Sequence, residues 1–217
     1  MDITDLFALG LRVGDKLVAR GETIAVAESS AGGLISAALL ARAGASAYYF
    51  GGAVLYTRRS RRLLTTLSAD DSAGMRSSSP PWAQLLACHQ RQRFKASWGL
   101  AETGAAGPTG NPYGDPAGHA CLAVDGPLLR DRLLRTGLDD RPRNMIAFAM
   151  AALELLEQAI DAAPEPAPEP APEPAPETAA QAAPGAAADT AAKAADAATA
   201  AATAATGPTT GAVSRGA

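Results

Sequence analysis

The chain has 217 residues, a formal net charge of −3 and two cysteines, Cys88 and Cys121. That balance excludes a strongly basic protein that coats nucleic acid, and two distant cysteines exclude a disulfide-stapled scaffold. No apolar run approaches the roughly 20 residues a membrane helix needs and Asp2 and Asp5 stand where a secretory leader would be basic, so the expectation is a cytoplasmic protein with neither nucleic acid nor membrane as partner.

Residues 3–20 read as an amphipathic helix, with Leu6, Leu9, Val13, Leu17 and Val18 at helical spacing and Gly21 suited to its stop. Residues 23–27 predict a short buried strand, and 32–42 an Ala/Leu-rich helix ended by Gly44. Residues 48–56 are aromatic and β-branched, a strand broken at Gly51-Gly52. A basic helix is predicted over 58–67, and another from Pro80-Pro81 to Arg93. Residues 97–103 and 119–124 read as strands separated by a Gly/Pro loop over 104–118. Gly126-Pro127 turns the chain into a last, antiparallel strand over 128–136, and a helix over 142–160 closes the domain. This alternation predicts, for residues 1–161, a three-layer α/β/α domain with a mixed, mostly parallel sheet.

The composition then changes. Residues 162–217 hold no aromatic residue, and Val213 is their only large aliphatic. Pro164 to Thr178 repeats Ala-Pro-Glu-Pro, which favours an extended, solvated polyproline backbone. The Ala-, Thr- and Gly-rich remainder has nothing to pack against. The expectation is a disordered Ala/Pro/Glu-rich tail, serving as a spacer or as an arm that docks a partner. Its six carboxylates against Lys193 and Arg215 give it −4, which leaves the domain at +1.

Three stretches of the domain carry chemistry. In "AESSAGG", Ala27 to Gly33, a carboxylate, two hydroxyls and two glycines stand where a strand hands over to a helix. One serine is enough to cap a helix. The remaining residues suit a site where free backbone N–H groups meet an oxyanion or a phosphate. In "YTRRSRR", Tyr56 to Arg62, four arginines follow a tyrosine at a strand end, either as a solvated helix face or as an anion site. In "ETGAAGPTGNPYGDPAG", Glu102 to Gly118, Thr103 ends a strand ahead of a long loop. Ser29, Tyr56 and Thr103, at three strand ends, are expected to converge on one crevice. Cys88-His89 and the His119/Cys121 pair lack zinc-site spacing, so no metal is expected.

Together "AESSAGGLISAAL", "GGAVLYTRRSRRLL" and "ETGAAGPTGNPYGDPAG" resemble the C-terminal domain of the CinA competence/damage-inducible family, over roughly residues 5–160. Its motifs read Ala-Glu-Ser-Cys-Thr-Gly-Gly, Tyr-Ser-Asn-x-x-Lys and Thr-Gly-Ile-Ala-Gly-Pro. The family includes nicotinamide-nucleotide amidohydrolases, which deamidate nicotinamide mononucleotide to nicotinate mononucleotide and ammonia, and this chain resembles their stand-alone form. The resemblance implies a small-molecule nucleotide substrate and no cofactor. Homo-oligomer and monomer remain open alternatives.

By the same resemblance Ser29 matches the nucleophile, Tyr56 the motif tyrosine and Thr103 the motif threonine. Glu28, Ser30, Gly32, Gly33, Arg58, Gly104 and Gly107 fall at expected substrate-binding positions, with N–H groups of Ser30 to Gly33 around the oxyanion. The sequence departs from the family at Ser30 and Ala31, and above all at Arg61, which replaces the lysine. A neutral lysine can take a serine's proton. An arginine, with a pKa above about 12, cannot. The domain's only lysines, Lys16 and Lys95, lie outside the three motifs. Tyr56 or His119 is then the expected base, with Arg61 gripping phosphate or orienting Tyr56. The alternative is a nucleotide- or anion-binding module that does not turn over.

Overall fold

The computed structural model describes residues 2–166. Of the tail expected over 162–217, residues 167–217 lie outside that range. The elements are α1 (Ile3–Arg20), β1 (Ile24–Glu28), α2 (Leu34–Leu40), a 3-10 turn (Ala45–Ala47), β2 (Tyr49–Val54), α3 (Arg58–Leu64), α4 (Pro80–Phe94), β3 (Trp98–Ala105), β4 (His119–Asp125), β5 (Arg130–Arg135) and α5 (Arg141–Ala162).

The strands form one sheet in the order β2-β1-β3-β4-β5. The ladders of β1 with β2 and with β3 are parallel, while β4 runs antiparallel to both of its neighbours. Four of the five strands therefore share a direction. Chain alternation sorts their side chains. Ile24, Val26, Trp98, Leu100, Leu122 and Val124 pack with α1, α2 and α5. Ala27, Ala101, Cys121 and Ala123 face α4, through Trp82, Ala83, Leu86 and Ala87. Helices thus cover both faces, as in the expected three-layer arrangement.

Local differences from the sequence reading have physical causes. Val18 is 39% exposed. The buried stripe of α1 follows Leu6, Gly10, Val13 and Leu17, and Val18 lies about 100° round the helix from Leu17. Helix α2 starts at Leu34 because Gly32 and Gly33 sit at φ +70° and +100°, outside helical space. Strand β2 ends at Val54, which leaves Tyr56 beyond it. Strand β3 continues to Ala105 because β4 pairs with it as far as His119.

The order β2-β1-β3 makes the gap between β1 and β3 a switch point. The chain leaves β1 toward one side through α2 and returns on the other through α4. Open α/β sheets bind ligands outside the carboxyl ends of strands at such a point.

Candidate active site

The β1–β3 register pairs Ala27 with Ala101. Two residues further on, the same offset sets Ser29 beside Thr103. Both follow the parity of the alanines that face α4. Glu28 and Glu102 follow the opposite parity and turn to the other face, where both are completely buried.

No cation pairs with either acid among the described residues, so donors of the turn must satisfy them. Glu28 accepts the N–H groups of Gly33 (2.8 Å), Ile35 (3.1 Å) and Ser36 (3.1 Å), and the Ser36 hydroxyl (2.6 Å). Glu102 accepts the N–H groups of Ser29 (2.9 Å) and Ala31 (2.8 Å), and meets the Ser30 hydroxyl in a short contact. Burial pushes the Glu102 carboxyl above the ordinary carboxylate range, against the pull of these bonds.

The anion cradle expected from this turn is thereby redrawn. The N–H groups of Ala31 and Gly33 are taken by carboxylates, and that of Gly32 by the Ser29 carbonyl (3.2 Å). Among Ser30 to Gly33, the Ser30 N–H is the one with no acceptor among the described residues. Glu28, Gly32 and Gly33, expected at the substrate, line none of the cavities described below. They stand behind the turn and shape it.

At the carboxyl ends of β1 and β3 lies a cavity of about 280 Å³. Ser29, Thr103 and Gly104 line it, together with Tyr56, Arg58 and Arg61. Trp82 and Leu86 of α4 line it too, as do Ser77, Ser78, Asn111 and Tyr113. A smaller cavity of about 200 Å³ adjoins it, where Ser30 and Gly107 join Tyr56, Gly104 and Arg141. Gly104 must be glycine, because a Cβ there would lie 2.3 Å from the His119 carbonyl oxygen and 3.0 Å from the Ser30 hydroxyl.

The walls are held from several elements. The Arg61 guanidinium lies 4.8 Å from the centre of the Trp82 ring, a cation–π contact. Arg141, at the start of α5, donates to the Tyr56 phenol oxygen (2.8 Å) and to the Gly107 carbonyl (2.8 Å). The loop is pinned through Asn111, whose side-chain oxygen accepts the N–H groups of Tyr113 (3.0 Å) and Asp115 (3.1 Å). Asp115 in turn binds both terminal nitrogens of Arg76 (2.5 and 3.0 Å), which holds its carboxyl below the usual range. Hydrogen bonds from Ser77 and Arg58, with the charges of Arg58 and Arg61 nearby, draw the Tyr113 phenol below the usual tyrosine range.

His119 is placed elsewhere. It is buried, its Nε2 is 3.0 Å from the Ser78 carbonyl oxygen, and it lines none of these cavities. The lysines are remote as well. Lys16 binds Asp161 on the far side of α1 (2.6 Å), and Lys95 caps α4.

Sequence reasoning passed over Glu102, Trp82, Tyr113 and Arg141. Glu102 carried a signal, since an acid inside a buried strand needs donors close by. Arg141 carried none, because only the tertiary fold brings the start of α5 to Tyr56.

Hydroxyls on the floor and arginines in the wall line a cavity at the switch point of an open sheet in an α/β domain. The CinA C-terminal domain family matches residues 7–160, and the chain belongs to that family. It is 37% identical over 145 residues to a CinA-like protein of Anaeromyxobacter sp. strain Fw109-5, a match covering 67% of this chain and 35% of that protein. A CinA-like protein of Myxococcus xanthus is 36% identical, with 66% and 34% covered. The chain thus spans about a third of the length of these curated relatives. Among solved structures, the competence/damage inducible protein CihA of Agrobacterium tumefaciens superposes with a TM-score of 0.66 at 30% identity, over 72% of this chain and 96% of that one. A CinA superfamily protein of Klebsiella pneumoniae gives 0.66 at 27% identity, over 72% and 98%.

Proposed function

We propose that the domain is a nicotinamide-nucleotide amidohydrolase, converting nicotinamide mononucleotide and water into nicotinate mononucleotide and ammonia. One observation carries the reading, the meeting of Ser29, Thr103 and Tyr56 with Arg58 and Arg61 in a single cavity. Its volume of about 280 Å³ lies close to the roughly 300–1,000 Å³ typical of small-molecule sites.

Ser29 Oγ attacks the carboxamide carbon and loses its proton to a tyrosine oxygen of the cavity. The C–N bond then breaks, the proton passes to the leaving nitrogen, and ammonia departs. Water hydrolyses the acyl-enzyme by the same relay. Tyr56, which matches the motif tyrosine and is positioned by Arg141, takes the place of the family's lysine as acceptor. Tyr113, with its lowered pKa, is the second phenol of the cavity. The Ser30 N–H, which has no acceptor among the described residues, and the Thr103 hydroxyl, which lines the cavity with Ser29, donate to the developing oxyanion. Arg58 and Arg61 take the phosphate.

A second reading rests on Arg61. Its guanidinium stacks on Trp82, and no lysine lines the described cavities. A site without its lysine binds the nucleotide and does not cleave it. Ammonia release from nicotinamide mononucleotide by the full chain, beside Ser29→Ala, separates the two. Release that vanishes in the variant is the expected result. Binding of the nucleotide with no release above the variant's would install the second reading. Tyr56→Phe and Tyr113→Phe then assign the proton acceptor, since the variant that lacks it loses rate and keeps nucleotide affinity.

A further inference from the structure

A second cavity, of about 480 Å³, opens beside the first. Arg58, Arg61, Ser77 and Tyr113 line both, whereas Arg62 and Arg76 line only the second. No carboxylate lines it, and its positive charge is only partly answered. Asp115 neutralises Arg76. Arg61 has the face of Trp82. Arg58 and Arg62 have no acidic partner among the described residues. Residues 58, 61 and 62 fall at i, i+3 and i+4 of α3, so their charges share one face and repel. Helix α3 contains no acid to relieve them and buries none of its own residues. A repelling array of guanidiniums, facing a cavity continuous with a candidate nucleotide site, is stabilised when an anion enters.

We propose that this cavity is a subsite for a further phosphoryl group, so that the crevice takes a pyrophosphate-bearing nucleotide, of the dinucleotide class, as well as a mononucleotide. The inference rests on the reading of the first cavity as a nucleotide site. One phosphoryl group sits at the junction, between Arg58 and Arg61, in the fork geometry that guanidinium offers phosphate oxygens. The second lies against Arg62, with the Ser77 hydroxyl as a further donor. Tyr113, at the boundary of the two cavities, is placed to touch the ligand between its two ends.

Calorimetric titration of the full chain with inorganic phosphate and with inorganic pyrophosphate, at one ionic strength, tests this. Arg62→Gln removes a charge from the subsite. Arg59→Gln removes the same charge from an exposed residue that lines neither cavity. Neither side chain is buried, and circular dichroism checks that both variants fold. The expected result is a preference for pyrophosphate of about tenfold or more, largely lost in Arg62→Gln and kept in Arg59→Gln, with phosphate affinity little changed. A smaller preference, one that survives Arg62→Gln, or one that falls equally in both variants overturns the subsite and leaves diffuse attraction to a basic surface. The outcome is independent of the amidase. A chain with the preference that releases no ammonia keeps the subsite and loses the proposed reaction, and the reverse result does the opposite.

Discussion

The turn that carries Ser29 and the helix that carries Arg61 border the same cavity and are built in opposite ways. In the turn, two buried carboxylates answer five of the backbone N–H groups of residues 29–36, so most of the geometry is held without a ligand. Helix α3 buries no side chain, is held by the Thr57–Ser60 capping box and the Arg61–Trp82 stack, and presents guanidiniums with no carboxylate partner among the described residues. The difference separates two tasks. Satisfied, desolvated groups fix where Ser29 points and contribute to folding. Exposed, unpaired charges contribute little to folding and keep their energy for an anion. Substitutions in the turn should therefore move stability first, and substitutions in α3 binding first.

The largest effect is expected at Glu102. Glu102→Ala leaves the Ser29 and Ala31 N–H groups and the Ser30 hydroxyl without an acceptor. At about 1–3 kcal/mol for each unanswered buried donor, the loss should reach about 3–5 kcal/mol in urea unfolding. Glu102→Gln keeps a carbonyl for the two N–H groups and an amide that donates to Ser30, and should cost less than half as much. If the alanine variant unfolds within about 1 kcal/mol of the parent, the turn is not held by this carboxylate and the contrast with α3 fails.

The pH dependence of the same pair is a smaller effect with a definite sign. Burial raises the folded pKa of Glu102 above its unfolded value of roughly 4.3. The native state therefore holds this proton more tightly than the unfolded chain. The contribution is fully present below about pH 4.3 and is lost as pH rises through the folded pKa. The stability of the parent relative to Glu102→Gln should fall across that interval. A difference that stays flat from acid to neutral pH would mean that Glu102 is not held in a raised state.

How much of this was legible in the sequence follows from which forces are local. Periodicity and turn chemistry delivered the elements, because α1 carries its own stripe and cap and β1 and β4 are largely apolar runs. The meeting of Ser29, Tyr56 and Thr103 at one cavity was legible too, since each lies near the carboxyl end of one of three adjacent parallel strands. The roles of the turn's residues were not. Glu28 and the glycine pair look like ligand contacts in a one-dimensional motif, and strand parity sends the carboxylate to the opposite face. The partners of the wall were invisible for a related reason. Trp82, Tyr113 and Arg141 reach the cavity from α4, the loop and α5, and no short-range pattern joins them to "YTRRSRR".

Arg141 gives the smallest and sharpest test of the contrast, because it lines the adjoining smaller cavity and yet behaves like the turn. Its two terminal nitrogens already donate, one to Gly107 and one to Tyr56, so it serves first to fix its neighbours. Tyr56 is 56% exposed, so losing its partner should change stability by less than about 1 kcal/mol. In an amidase, however, a phenol that swings away from Ser29 slows the chemical step. Arg141→Gln should lower kcat for ammonia release by about tenfold, a proton-transfer effect, with little change in KM. Arg61→Gln, which removes a proposed phosphate ligand, should chiefly raise KM. If Arg141→Gln instead raises KM and spares kcat, Arg141 belongs with the arginines of α3 as an anion ligand, and the boundary between positioning and binding runs through α5.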